Sequence, residues 1–94
     1  MPMFVVLGRI TDEGAKNMSD FVSAVQQNTA RAESLGIKVH GWYMTQGQYD
    51  FVVVAEAPNE DAVMRQGFGV AGTGRARTET MRAFTLDEVR QHLP

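Results

Sequence analysis

The sequence lacks cysteine, lacks an excess of basic residues and lacks any long apolar run. Without cysteine the protein forms no disulfide bond, has no thiolate nucleophile and offers no cysteine ligand to a metal. Its 9 Lys and Arg are outnumbered by 11 Asp and Glu, which gives a formal net charge of −2. Because nucleic-acid-binding domains need a basic surface to neutralise phosphates, we expect no nucleic-acid partner.

The apolar stretch over residues 3–10 is too short to cross a membrane, and no basic segment precedes it as in a signal peptide. We therefore expect a cytoplasmic protein without a membrane partner. The length of 94 residues predicts one domain over residues 1–94, and a hydrophobic content of 44% is ordinary for a globular protein.

The hydrophobic pattern predicts an α+β ferredoxin-like fold. Strands are predicted over residues 3–10, 37–46, 49–57 and 75–84, and helices over residues 14–35, 60–68 and 86–93. Ser19 is an alternative start for the first helix, Gly36 suits its C-terminus, Asn59 caps the second helix, and Thr85 with Glu88 forms a capping box. The resulting βαββαβ order implies a four-stranded antiparallel sheet with helices on one face.

The second and third strands are predicted to form a hairpin with a three-residue loop over residues 46–48. This register pairs Lys38 with Glu56 and Tyr43 with Phe51, whereas a two-residue loop would lose the opposite-charge pair. It places Tyr43 and Phe51 under the helices.

The same register leaves the other face of the sheet uncovered; this face is mixed in polarity but carries side chains too apolar to stay exposed. Its side chains in the hairpin include Trp42, Met44, Val52 and Val54. Monomers seldom expose such a patch, and its burial against a second copy contributes on the order of 10 kcal/mol as an upper bound. We expect a homodimer through this sheet face; the alternative is that the terminal segment folds over it.

The hairpin segment Gly-Trp-Tyr-Met-Thr-Gln-Gly-Gln-Tyr-Asp, residues 41–50, resembles the Gly-x-Tyr-Asp signature of the GYD family. Similar segments lie at residues 6–8, 11–14, 56–58 and 78–84. The resemblance implies a dimeric α/β barrel, with a higher oligomer as a further option. Because that superfamily includes cofactor-free monooxygenases, isomerases, haem enzymes and ligand-sensing domains, the fold leaves the chemistry open.

Asp50 and His40 are the candidate catalytic residues. Asp50 follows a turn in an otherwise apolar strand, where a partly buried carboxylate can act as a base. The alternative for Asp50 is to lock the turn by accepting backbone N–H groups or by pairing with an arginine. His40 can shuttle protons, or can be an ordinary packed or surface residue. The only other histidine, His92, is distant in sequence and no acidic residue lies at ligand spacing, so neither a metal nor a cofactor is predicted.

Candidate ligand-binding residues are four aromatic side chains and one arginine. They are Trp42, Tyr43, Tyr49, Phe51 and Arg82. The expected pocket lies between sheet and helices, with Tyr43, Phe51, Phe68 and Phe84 as its walls. Arg82 would hold an anionic or carbonyl group, or instead form an ion pair with Asp50 or between subunits.

Residues 67–72 match the Gly-x-Gly-x-x-Gly pattern of dinucleotide-binding domains. That pattern requires a strand before it and a helix after it, and here the order is reversed, so we reject it. The glycines instead predict a loop over residues 67–74, either a lid or a plain connection.

These patterns favour a homo-oligomeric protein that binds a small, partly apolar or aromatic molecule in the pocket. One alternative is a cofactor-independent enzyme of isomerase or monooxygenase type, with Asp50 or His40 as the base. Another is a subunit that acts only through assembly.

Overall fold

The structure, a computed structural model, describes all 94 residues. The strands are β1 (Met3–Ile10), β2 (Lys38–Met44), β3 (Phe51–Glu56) and β4 (Ala76–Ala83). The helices are α1 (Asp12–Ala15), α2 (Phe21–Ser34), α3 (Glu60–Gly72) and α4 (Leu86–His92), and a 3₁₀ turn, Met18–Asp20, precedes α2. None of the helices combines the length and the apolar character needed to cross a membrane.

The strands form one antiparallel sheet in the order β2-β3-β1-β4, which confirms the predicted ferredoxin-like fold. The central strand β1 pairs with β3 on one side and with β4 on the other. This central position explains why both alternating sets of β1 side chains are apolar. A layer packed on each face of the sheet would shield both sets from water.

Helix ends follow the local signals in the sequence. The Gly36 backbone has a φ of +82°, the left-handed conformation that a glycine after a helix adopts without strain. The Asn59 Oδ1 accepts from the Ala62 N–H at 2.8 Å, and Thr85 with Glu88 forms the predicted capping box. The predicted helix over residues 14–35 is instead split into α1, the 3₁₀ turn and α2, and Thr11 caps α1 by accepting from the Gly14 N–H.

The buried core of the single chain is small. It consists mainly of alanines with one isoleucine: Ala32, Ile37, Ala55, Ala57 and Ala62. No large side chain is fully buried. Most of the large apolar side chains therefore keep part of their surface exposed, either around a cavity or on the open face of the sheet.

A β-bulge in β2 corrects the predicted hairpin register. Lys38 does pair with Glu56, but the register shifts between Val39 and Gly41, so the strand carries one extra residue at His40. Beyond the bulge, every side chain of β2 lies on the face opposite to the predicted one. Trp42 therefore lies under the helices, and Tyr43 lies on the open face opposite Val52.

The predicted loop over residues 67–74 is also wrong, because α3 continues through it to Gly72. Gly69 lies beside the Arg31 guanidinium of α2, at a point where the two helices are in contact.

Candidate functional site

A cavity of about 250 Å³ lies between the helix-covered face of the sheet and helices α2 and α3. Most of its lining side chains are apolar. The walls include Phe4, Val6, Val53, Phe21, Val25 and Val63. Because the core alanines are small, the two layers leave this space unfilled by their own side chains.

Three aromatic rings form one wall of the cavity. The Trp42 ring stacks on Phe51 with centroids 5.1 Å apart and an interplanar angle of 16°. Phe21 of α2 packs edge-on against Trp42, with ring centroids 5.6 Å apart. A side chain at Gly8 would overlap the Phe51 ring, so glycine at that position makes the stack possible. The three rings together present an aromatic surface to the cavity.

Polar groups lie at the edge of the cavity between the two long helices. The Gln66 Nε2 donates to the Asn28 carbonyl oxygen at 2.9 Å, and Arg31 donates to the Asn28 Oδ1 at 3.0 Å. Asn28 and Gln66 both line the cavity. Their amides can donate and accept hydrogen bonds, so a bound molecule with one polar group would find partners at this edge.

The structure separates the predicted ligand-binding aromatics. Trp42 and Phe51 line the cavity. Tyr43 does not, because the bulge moves it to the open face, where it is 57% exposed. Two further expected walls, Phe68 and Phe84, point away from the cavity and are 70% and 58% exposed.

Asp50 lies where β3 begins, and its contacts match the turn-locking alternative. Its Oδ2 accepts from the Ile10 N–H at 2.7 Å, and its own N–H donates to the Gly8 carbonyl at 2.7 Å. Its carbonyl accepts from the Thr45 N–H at 2.8 Å. Asp50 therefore joins the loop end of the hairpin to β1, just beyond Gly8 and Phe51, the last paired residues between β1 and β3.

His40 lies at the opposite end of the same hairpin. Its Nε2 is 2.9 Å from the Glu56 Oε2 on the open face, and this hydrogen bond lowers the pKa of Glu56. Glu56 and Asp50 are six positions apart, roughly 20 Å along a strand. The two candidate bases are therefore not brought together, and no group of three or more His, Asp or Glu is arranged to hold a metal.

Arg82 does not form the predicted ion pair with Asp50, and its ion pair between subunits stays a prediction. It donates to the Met3 and Ala83 carbonyl oxygens, and its guanidinium lies 4.3 Å from the Phe84 ring centroid. Its acidic neighbour is Glu88, at 3.8 Å, rather than Asp50. These contacts join the end of β4 to helix α4.

The open face of the sheet has an apolar centre. Val5, Leu7, Val52 and Val54 are only half-buried, and Met81 is 45% exposed. One end of this face carries Lys38, His40 and Glu56.

The other end of the open face carries a polar cluster that was not predicted from the sequence. Arg9, Tyr49, Arg77 and Glu79 surround a second cavity of about 200 Å³. The Tyr49 hydroxyl donates to the Glu79 Oε2 at 3.0 Å, and this hydrogen bond raises the pKa of Tyr49. A single charged residue, Arg9, in an otherwise apolar first strand was the available signal in the sequence.

Fold and sheet topology together define a small α+β domain of the ferredoxin-like class. The model of the GYD domain matches residues 4–93, so the chain belongs to the GYD family. A similar curated protein is the glutamine synthetase and cystathionine beta-lyase binding protein of Thermus thermophilus. It is 31% identical over 90 residues, which cover 95% of each chain.

Two solved structures have the same fold. The crystal structure of FFRP-DM1 superposes with a TM-score of 0.62 at 17% identity, covering 89% of this chain and 100% of the other. The crystal structure of TTHA0845 from Thermus thermophilus has a TM-score of 0.53 at 24% identity, with coverages of 90% and 95%. At these identities the similarity concerns the fold alone.

Proposed function

We propose that this chain is a homo-oligomeric binding protein that takes a small, partly apolar or aromatic molecule into the cavity between sheet and helices. The observation that carries the proposal is the cavity itself, walled by the Trp42–Phe51 stack and edged by the amides of Asn28 and Gln66. Small-molecule sites typically combine apolar walls with a few polar groups in this way.

The cavity limits the size of the ligand. Its volume of about 250 Å³ is slightly below the ~300 Å³ at which typical ligand pockets begin. A single aromatic ring or a branched aliphatic chain with one polar group fits this space and these walls. Contact with the three aromatic rings of the wall favours the aromatic member of the two.

The homodimer uses the open sheet face. Its six central side chains, Val5, Leu7, Tyr43, Val52, Val54 and Met81, contribute on the order of 10 kcal/mol when fully buried, as an upper bound. Association costs about 4–15 kcal/mol. The second copy buries the same six side chains, so the combined gain is large enough to leave the roughly 8 kcal/mol that a micromolar dissociation constant requires, and we expect a dimer at this concentration.

The cavity is tested with the fluorescence of Trp42, the single tryptophan of the chain. Titration with benzyl alcohol and 3-methylbutanol should give a saturable change in emission. Ala24→Leu, on the cavity wall, should abolish this change, whereas the matched variant Ala30→Leu, on the exposed side of α2, should retain it. Equal responses of the two folded variants, or no saturable response of the wild type, would refute the cavity as a binding site.

A second candidate function is docking to metabolic enzymes, and it is favoured by the similar Thermus protein, whose name states that it binds glutamine synthetase and cystathionine beta-lyase. Purified enzymes of these two types from the same source would be mixed with the chain and separated by size exclusion. Co-elution in a fixed ratio supports this candidate, and separate elution of all three proteins rejects it.

The catalytic alternative has less support from the geometry. The Asp50 carboxylate already accepts a backbone N–H, and His40 pairs with Glu56 at the far end of the hairpin. Catalysis by either base predicts that Asp50→Asn or His40→Ala abolishes turnover of a substrate without changing the oligomer, which is measured by sedimentation.

A further inference from the structure

Two arginines face each other across adjacent strands on the open face. Arg9 of β1 and Arg77 of β4 are direct Cα partners in the antiparallel ladder. Like charges in directly opposite positions destabilise a sheet. An arrangement of this kind is favourable when an anion neutralises both charges.

Neither arginine has an acidic partner within ion-pair distance. The Arg9 Nε donates to the Gln48 carbonyl at 3.1 Å, and its guanidinium lies 4.9 Å from the Tyr49 ring centroid. The Arg77 guanidinium donates only to the Ala76 carbonyl, at 3.3 Å. Four other arginines do have acidic partners: Arg65, Arg75, Arg82 and Arg90.

The nearby carboxylate does not neutralise the pair. Glu79 accepts the hydrogen bond from the Tyr49 hydroxyl and contributes one negative charge against two positive ones. The cluster therefore keeps a net charge of one positive unit around its cavity of about 200 Å³. Each guanidinium carries five N–H donors, most of which have no protein acceptor here.

We propose that Arg9 and Arg77 bind the oxyanion of a small ligand, either a carboxylate or a phosphate. Planar guanidinium groups match both anions through paired hydrogen bonds. Tyr49 packs beside Arg9 and forms the side wall of the site. The site is separate from the cavity under the helices, and it lies near the ends of β1 and β4, at the rim of the proposed sheet-to-sheet interface.

The test is an NMR titration of the full chain with sodium phosphate and, separately, with sodium malonate, each at constant ionic strength adjusted with sodium chloride. We expect saturable shifts confined to residues 7–9, 49 and 77–79. Arg9→Gln and Arg77→Gln should each weaken binding about tenfold or more, as the loss of a charge-assisted hydrogen bond implies. Arg65→Gln, which removes an exposed arginine on α3, should leave the affinity unchanged.

The two anions distinguish the chemistry: a response to malonate alone assigns a carboxylate, and a response to phosphate alone assigns a phosphate. Chemical-shift changes of the same size on addition of sodium chloride alone would overturn the proposal. So would unchanged affinity in both glutamine variants. A third overturning result is that these variants alter only the dimer dissociation constant, since the arginines would then serve an acidic side chain of the second copy.

Discussion

Replacement of Gly8 by alanine tests the packing that shapes the cavity. Gly8 is not among the glycines with positive φ, so its backbone accepts alanine and the cost is steric. The new Cβ would overlap the buried Phe51 ring. Overpacking of this kind costs about 1–3 kcal/mol, and loss of the Trp42 stack adds about 0.5–1.5 kcal/mol. We expect a loss of about 2–4 kcal/mol in the free energy of unfolding.

The assay is urea unfolding followed by circular dichroism at fixed protein concentration. Gly8→Ala is measured in the wild type and again in Phe51→Leu, whose smaller side chain leaves room for the methyl group. The substitution should cost less than about 1 kcal/mol in the second background, because the overlap is gone. An equal cost in both backgrounds would refute the steric explanation and, with it, the role of Gly8 in holding the aromatic wall.

Three further predictions use the same unfolding measurement. Gly67→Ala should stabilise the protein by about 0.5–1 kcal/mol, since this helical glycine has open space around its Cβ position; a loss of stability would contradict the extension of α3. Asp50→Ala should cost about 1–3 kcal/mol by leaving the Ile10 N–H without its acceptor, whereas Asp50→Asn should cost less than about 1 kcal/mol, and equal costs would contradict this role. The hydrogen bond from Arg75 lowers the pKa of Asp20 below its ordinary 3.8. The stabilisation that this pair provides is therefore present above that pH and is lost as the pH falls through the lowered pKa. Below about pH 4 the free energy of unfolding of the wild type should fall more steeply than that of Asp20→Asn, and parallel plots of stability against pH would contradict this.

The order of the elements was predictable because helix and strand periodicities differ clearly along the chain. Strand β1 was predicted with its observed ends, and the caps at Asn59 and Thr85 follow from short-range hydrogen bonds that the sequence specifies locally. Such features depend on neighbours a few residues away. They can therefore be predicted without knowledge of the tertiary structure.

The bulge at His40 was not predictable from the sequence. Both alternating sets of the hairpin include large apolar side chains, so the hydrophobic pattern does not reveal a one-residue shift within the strand. The charge pair between Lys38 and Glu56 was predicted correctly, yet it constrains only the strand before the bulge. The side chains of Trp42 and Tyr43 were consequently exchanged between the two faces.

The two cavities depend on contacts that are distant in sequence. Gly69 favours a loop by its local propensity, yet it lies in α3 beside Arg31 of another helix. Similarly, Arg9 and Arg77 are 68 residues apart (77 − 9) and meet only through the ladder between β1 and β4. Sequence periodicity carries no information about such pairs.

The most direct test of a homo-oligomeric binding protein is sedimentation equilibrium of the purified chain at micromolar concentration. We expect a mass of twice the 10.4 kDa of one chain. Val54→Lys, in the centre of the open face, should reduce it to a single chain, and Val22→Lys, exposed on α2, should not. A wild type that sediments as a single chain throughout this concentration range would contradict the paired sheet.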